Sequence, residues 1–277
     1  EYLMGRMKLA DKDLYQPVLN GSDEGEFWRA IVQAGNGDLN GASIELRRSG
    51  PIARPYPRAL RFKLLTVVAE AVVEIGDVRT AETMISTLLA DNLDAAQEAQ
   101  VKFVQGRLAE LEGDFDGAIT LWEDVMDSPD RLARFRAART RAELLLRLDR
   151  ITKREATEDL ERQRFAWRGD NREFDLLRRL GALYLEQDKY REALQTLRQA
   201  ATHFRDHPDA KAVTKLMSDT FNDLYLNNKA DVLPPVMAIA IYEEFKELTP
   251  AGALGDKMIQ NLADRLVGVD LLDQAAA

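Results

Sequence analysis

The only two histidines of the chain stand four residues apart, at His203 and His207. On a single helix this spacing would place both imidazoles on one face, with Asp206 or Asp209 as a third metal ligand. The segment ends at Pro208, however, and a histidine at a helix end interacts favourably with the negative end of the helix dipole. No further histidine is present and no glutamate is placed as a base, so we predict no metal site.

Acidic pairs are abundant, as at Asp114 and Asp116. Catalytic carboxylates must face each other across a cleft, one of them with a raised pKa. These acids instead lie on polar helix faces or recur in one repeated turn, at Asp38, Asp77 and Asp114, where helix capping is the ordinary role. The chain also lacks cysteine, a phosphate-binding loop and a nucleophile elbow. We therefore predict that it is not an enzyme and holds no cofactor.

The overall charge excludes further classes. The 277 residues carry 38 Lys and Arg against 47 Asp and Glu, a net charge of −9. This acidity argues against sequence-independent binding of nucleic acid, and no apolar run approaches the roughly 20 residues that span a bilayer. The absence of cysteine fits the cytoplasm or the bacterial periplasm and only weakly favours the second. The chain starts without Met and stops within a helical pattern, so we expect a piece of a longer protein.

The positive charge is concentrated in one segment. Residues 131–179 contain 15 basic and 9 acidic residues, a local net of +6, which leaves −15 for the rest of the chain. An arginine-lined surface suits an acidic segment or a terminal carboxylate, because guanidinium binds carboxylates bidentately. The alternative is a solvated helix face whose arginine stems cover their neighbours. Both interpretations stay open at the level of sequence.

The elements that position these residues are helices. Apolar residues recur at spacings of three and four nearly everywhere, as at Leu60, Leu64, Val67 and Val68, in stripes that end at Gly-Asp or Asp-Pro. This period is typical of amphipathic helices. The β-branched residues are scattered rather than alternating. The predicted fold class is all-α.

One turn sequence repeats along the chain. Residues 37–42, Gly-Asp-Leu-Asn-Gly-Ala, are echoed at 76–81 and 113–118 and, in weaker form, at 188–193. The closing alanines are 39, 37 and 75 residues apart, so a degenerate unit belongs in the last interval, where Ala156 falls at the right place. Gly permits a left-handed turn, Asp caps the next helix, and Ala lets that helix pack closely. Two helices per unit indicate stacked helical hairpins.

The repeat resembles the tetratricopeptide repeat (TPR) family, in which Trp-x₂-Leu-Gly-x₂-Tyr is followed by Ala-x₃-Phe and Pro. The best match consists of Leu177, Leu180, Gly181, Tyr184, Ala193, Leu197 and Ala200. A second unit supplies Gly106, Ala118, Trp122 and Pro129. The resemblance implies a right-handed α-solenoid of six to seven antiparallel helix pairs. The period of 37–39 exceeds the family's period of about 34, so a HEAT-like array is the structural alternative.

The predicted organisation is one continuous array. We expect residues 1–22 to form a helical or irregular cap and residues 23–277 to form the repeats. The sixth unit carries about eight extra residues, which we place at 227–235 because of Pro234 and Pro235. The seventh unit is truncated.

In the TPR family, peptide ligands lie on a concave surface lined chiefly by the first helix of each unit. The resemblance therefore implies a non-catalytic scaffold that binds a partner protein or peptide, with an acidic partner suggested by the arginines. The candidate partner-binding residues are Phe103, Arg107, Arg139, Arg141, Trp167, Arg178, Arg179 and Glu186. The alternative is a structural, self-associating segment of a larger multi-repeat protein, in a bacterial envelope or motility complex.

Overall fold

The computed structural model describes residues 7–268, in which all regular structure is helical. Helix α1 spans Met7–Leu14, six helix pairs follow, and α14 spans Ala253–Gly268. The pairs are α2 Asp23–Gly35 with α3 Leu39–Ser49, α4 Arg58–Glu74 with α5 Val78–Leu89, α6 Ala95–Glu112 with α7 Phe115–Met126, α8 Arg131–Arg147 with α9 Lys153–Gln163, α10 Asn171–Leu185 with α11 Tyr190–His203, and α12 Ala210–Tyr225 with α13 Pro235–Glu244. The all-α prediction is confirmed.

The helices divide into two compact units at Arg172 and Glu173. Unit 1 has its core between the helices of the first four hairpins, and unit 2 has a separate core around Phe174, Phe221 and Phe245. The prediction of one continuous array over residues 23–277 stays a prediction. Residues 1–6 of the predicted cap and 269–277 of the predicted last repeat lie outside the described residues.

A left-handed residue joins the two helices of each of the first five hairpins. These residues are Gly37, Gly76, Gly113, Asp149 and Asp188, with φ between 54° and 102°. The backbone N–H of each donates to the carbonyl three residues earlier at 3.0–3.1 Å, and the next N–H donates to the carbonyl five residues before it at 2.9–3.2 Å. This pair of bonds is the Schellman motif, which satisfies the carbonyls left free at the end of the first helix.

The residue after each left-handed glycine caps the second helix. The carboxylates of Asp38 and Asp114 accept from the N–H groups of Gly41 and Gly117 at 2.8 and 3.0 Å, and Asp77 accepts in the same way from Thr80. Hydrogen bonds from the Gln33 amide and the Gly41 N–H lower the pKa of Asp38. The predicted role of these acids as caps is confirmed, and the next hairpin uses Thr152 in a capping box instead.

A small residue lies seven positions before each left-handed residue and lets the paired helices approach closely. These residues are Ala30, Ala69, Gly106, Ala142 and Gly181. A Cβ atom on Gly181 would lie 2.5 Å from Cδ2 of Leu197, and one on Gly106 would lie 2.8 Å from Cδ1 of Trp122. Trp122 is fully buried, as predicted, and its indole N–H donates to the Phe103 carbonyl at 3.3 Å.

The sixth hairpin departs from this pattern. Phe221 occupies the small-residue position before the left-handed Asn228. The chain then makes an extra turn before α13 begins at Pro235, so the extra residues lie where the sequence predicts them. The Tyr225 hydroxyl of α12 donates to the Ala238 carbonyl of α13 at 2.6 Å and so joins the two helices.

The connector between the first two hairpins contains three prolines, at Pro51, Pro55 and Pro57. Proline favours extended backbone in the residue before it, but Gly50–Ala53 forms a 3₁₀ turn. A Cβ atom on Gly50 would lie 2.8 Å from Cγ1 of Val68. The chain therefore turns tightly here against the next first helix.

We expect Gly181→Ala to destabilise unit 2 despite the higher helix propensity of Ala. Propensity alone would stabilise the helix by about 1 kcal/mol, whereas overpacking against Leu197 costs about 1–3 kcal/mol. Urea unfolding followed by circular dichroism measures the sign. Adding Leu197→Ala should make the double variant less destabilised than the sum of the single changes. An increase in stability for Gly181→Ala alone would contradict the observed packing.

Exchanging Asp and Gly at the left-handed turn position should change the free energy of unfolding in opposite directions at two sites. Asp149→Gly relieves a left-handed Asp and should stabilise by about 0.5–1 kcal/mol, and Gly113→Asp should destabilise by a similar amount. Thermal unfolding of both variants beside the parent chain tests this expectation. Shifts of the same sign would show that φ is not what selects the residue.

Candidate protein-binding surface

The first helices of the second, third and fourth hairpins share one surface of unit 1, with α6 between α4 and α8. We call this surface the first-helix face. It is formed by Glu70 and Glu74 of α4, Arg107 and Glu110 of α6, and Arg136 and Arg147 of α8. Each of these charged side chains pairs with another on the face.

Arg136 lies at the middle of the face. Its Nη1 and Nη2 donate to the two carboxylate oxygens of Glu70 at 2.8 and 2.6 Å. Its guanidinium carbon lies 4.1 Å from the ring centroid of Phe103, a cation–π contact. Burial alone would lower the pKa of Arg136, but the adjacent Glu70 carboxylate prevails and raises it. The pair therefore holds α8 to α4 across α6 in its charged form.

A second set of ion pairs runs along the same face. Glu74 lies 3.3 Å from Arg107, Arg107 lies 3.5 Å from Glu110, and Glu110 lies 2.7 Å from Arg147. The Arg107 atom that approaches Glu110 is Nε, which is buried and lies too poorly aligned for a hydrogen bond within the described residues.

Ion pairs between adjacent hairpins explain the uneven charge of the sequence. Arg141 and Arg150 of the fourth hairpin pair with Glu123 and Asp116 of the third. Arg147 of the fourth hairpin reaches Glu110 of the third in the same way. Three arginines of the basic segment thus pair with carboxylates of the preceding hairpin. These arginines therefore form ion pairs within unit 1.

Unit 2 contains a comparable cluster of hydrogen bonds and ion pairs around Glu244. The carboxylate accepts from Arg191 at 2.6 Å and from Gln195 at 2.5 Å. Arg198 approaches it at 3.4 Å and lies over the Phe245 ring at 4.4 Å. Burial would raise the pKa of Glu244, but the Gln195 and Arg191 hydrogen bonds outweigh it and the pKa is lowered.

Two predicted site residues lie elsewhere than expected. Phe103 is only 3% exposed, because it packs in the core beneath Arg136 and does not present its ring to solvent. Arg141 contacts Glu123 of α7 and lies 4.0 Å from Asp159 of α9, so it faces the second helices. Arg141 therefore lies away from the first-helix face, and its contact with a partner stays a prediction. A helical rotation of two residues, beyond the precision of the sequence register, separates it from Arg139.

The remaining candidates keep surface positions. Arg107 and Arg139 are half-buried on α6 and α8. In unit 2, Arg178 is exposed and lies 3.6 Å from both Asp175 and Asp209. Arg179 lies 3.5 Å from Glu186.

Trp167 lies in the connector between α9 and α10. It is half-buried, and its indole N–H donates to Asp170 at 2.9 Å. Nearby Phe165 is 70% exposed, with the Arg168 guanidinium 4.8 Å from its ring centroid. Glu70 and Arg136 are not predicted as a pair from the sequence, because no local pattern connects residues 66 positions apart.

The two histidines do not share a helix. His203 is the last residue of α11 and is exposed, whereas His207 follows the helix and stacks on Phe174 at 3.7 Å. Nδ1 of His207 accepts from the Asp209 N–H at 3.1 Å. Within residues 7–268 no group of three or more His, Cys, Asp or Glu side chains is placed to hold a metal ion.

Comparison with known proteins supports the fold class. No family model matches the chain, and curated proteins give no significant match. Among solved structures, the chain is similar to Rap protein complexed with competence and sporulation factor, with a TM-score of 0.56 and 12% identity over 99% of this chain and 76% of that chain. It also matches the C-terminal part of a TPR repeat-containing protein from Cytophaga hutchinsonii, with a TM-score of 0.46 and 14% identity over 89% and 88%.

The helix pairs, their left-handed turns and the similarity to Rap protein define an all-α helical-repeat protein. The chain has a TPR-like fold. In the described part of the chain, none of the helices is long and apolar enough to cross a membrane.

We expect Arg136→Gln to destabilise unit 1 by about 2–3 kcal/mol, because it leaves the mostly buried Glu70 carboxylate without its partner. The matched control is Arg154→Gln, since Arg154 lies 3.9 Å from Glu158 in a pair whose side chains are 73% and 58% exposed. That change should cost less than about 0.5 kcal/mol. Chemical unfolding measures both. If the two variants lost equal amounts of unfolding free energy, the Glu70–Arg136 pair would contribute no more than an exposed ion pair.

Proposed function

We propose that the protein is a non-catalytic scaffold that binds a partner protein or peptide on the first-helix face of unit 1. The observation that carries the proposal is the row of charged side chains on that face, most of them partly buried. The turns and the apolar core determine how the hairpins fold. The charged side chains of the face are additional to these determinants, and such charges favour selective recognition of a polar partner.

The chemistry of the face favours an acidic segment in the partner. Arg107, Arg136 and Arg147 all engage carboxylates of this chain, and a partner's carboxylates can bind the same guanidinium groups. Further proposed contacts are Arg139 of α8 and, in unit 2, Arg178 and Arg179. The structural similarity to Rap protein, which was solved in a complex, supports a binding role for this fold.

The test compares two charge-reversal variants of equal net charge. Arg107→Glu with Arg139→Glu changes the first-helix face, and Arg79→Glu with Arg154→Glu changes exposed positions on the second helices α5 and α9. A partner is first captured with the parent chain from its cells of origin and identified by mass spectrometry. Its affinity for each purified variant is then measured by calorimetry.

The face variant should lose at least about tenfold in affinity, equivalent to about 1.4 kcal/mol. The second-helix variant should bind as the parent does. Circular dichroism controls for folding of both variants. Equal affinities for the two variants would place binding elsewhere and overturn the proposal. Light scattering of the same preparations tests self-association, which a strict monomer at high concentration would exclude.

A further inference from the structure

The Glu70–Arg136 pair differs from its neighbours in the hairpins that it joins. Arg107 and Arg147 each reach an acid of the hairpin directly before their own. Arg136 instead reaches from the fourth hairpin to Glu70 of the second, past the whole third hairpin. The pair therefore connects two elements that the repeat architecture alone does not bring into contact.

The path of the pair covers the centre of the first-helix face. Helices that pack directly have axes about 8–10 Å apart, so α4 and α8 are separated by the width of α6 between them. Arg136 crosses that width with its guanidinium carbon 4.1 Å from the centroid of the Phe103 ring. Phe103 packs in the core beneath it and is almost fully buried. An aromatic ring under a removable side chain is suited to a second state in which the ring is exposed.

The exchange of one carboxylate for another makes that second state accessible. Both Glu70 oxygens are engaged by the guanidinium, and a carboxylate from a partner can make the same two bonds. Replacing Glu70 by such a group conserves the charge pairing of Arg136, whereas simple rupture would leave a poorly solvated charge. A partner can shift the equilibrium only by binding the open state better, and the released Arg136 and Phe103 provide that difference.

We propose that the Glu70–Arg136 pair is an intramolecular latch: it holds α4 to α8 across the first-helix face, and a partner carboxylate opens it by replacing Glu70 on Arg136. The latch rests on the binding role proposed for this face. The part of the proposal that concerns the spacing of α4 and α8 can nevertheless be tested without any partner.

The absence of cysteine in the chain permits a direct distance measurement. Spin labels at Ser86→Cys on α5 and Glu158→Cys on α9, both exposed positions, report the separation of the second and fourth hairpins. Pulsed electron resonance is recorded for the labelled parent, for Glu70→Gln, and for the charge swap of Glu70→Arg with Arg136→Glu. The matched control is Glu74→Gln, which removes an acid that pairs only with the adjacent hairpin.

Glu70→Gln should broaden the distance distribution and lengthen its mean by about 1–2 Å, the size of common interhelical shifts. The charge swap should return it toward the parent distribution, and Glu74→Gln should leave it unchanged. These variants are compared by circular dichroism, so a general loss of folding is recognised. An unchanged distribution for Glu70→Gln would overturn the latch, whatever the partner does.

The second arm uses an oligo-glutamate peptide as the probe and oligo-glutamine as its neutral control. Oligo-glutamate should lengthen the distance in the labelled parent and bind Glu70→Gln about tenfold more tightly, since its internal competitor is gone. Binding should be lost in Arg136→Gln. If oligo-glutamate leaves the parent distance unchanged, opening by a carboxylate is overturned. Partner capture by the parent but not by the Arg107 and Arg139 variant would still support the binding role independently.

Discussion

The left-handed residue between paired helices is the constraint on which the rest of the structure depends. Its positive φ reverses the chain, and the two hydrogen bonds of the Schellman motif satisfy the end of the first helix. The following residue then caps the second helix, as Asp38 does. With the reversal fixed in so few residues, the helices must cross at close range. A small residue seven positions earlier, such as Gly181, is required for that reason.

Stacking of these hairpins brings charged residues of different repeats together. First helices lie beside first helices, so the acids of α4 and α6 meet the arginines of α6 and α8. The strongly basic segment is therefore balanced in space although it is not balanced in sequence. Arg136 adds a longer connection, because it passes over Phe103 to Glu70 and makes the spacing of the second and fourth hairpins depend on one ion pair.

Much of the fold could be predicted from the sequence because its determinants are local. Gly76 and Gly113 are visible as left-handed positions, and Ala81 and Ala118 follow each at a constant distance. The site depends on rotation about each helix axis, which the repeat pattern defines only within about two residues. For that reason the sequence does not distinguish Arg139 from Arg141, which contacts the second helices. The ion pair of Glu70 with Arg136 depends on the stacking of three hairpins, so no local sequence pattern indicates it.

The most direct test of this account is backbone hydrogen exchange at the turns, measured residue by residue by nuclear magnetic resonance. The N–H groups of Asp38, Asp77, Asp114, Arg150 and Lys189 close the longer bond of each Schellman motif. They should be protected as strongly as the interiors of the helices they join, because opening one turn releases the whole hairpin. Exchange at these five amides as fast as at the connector residue Gly169 would contradict the central role of the turns.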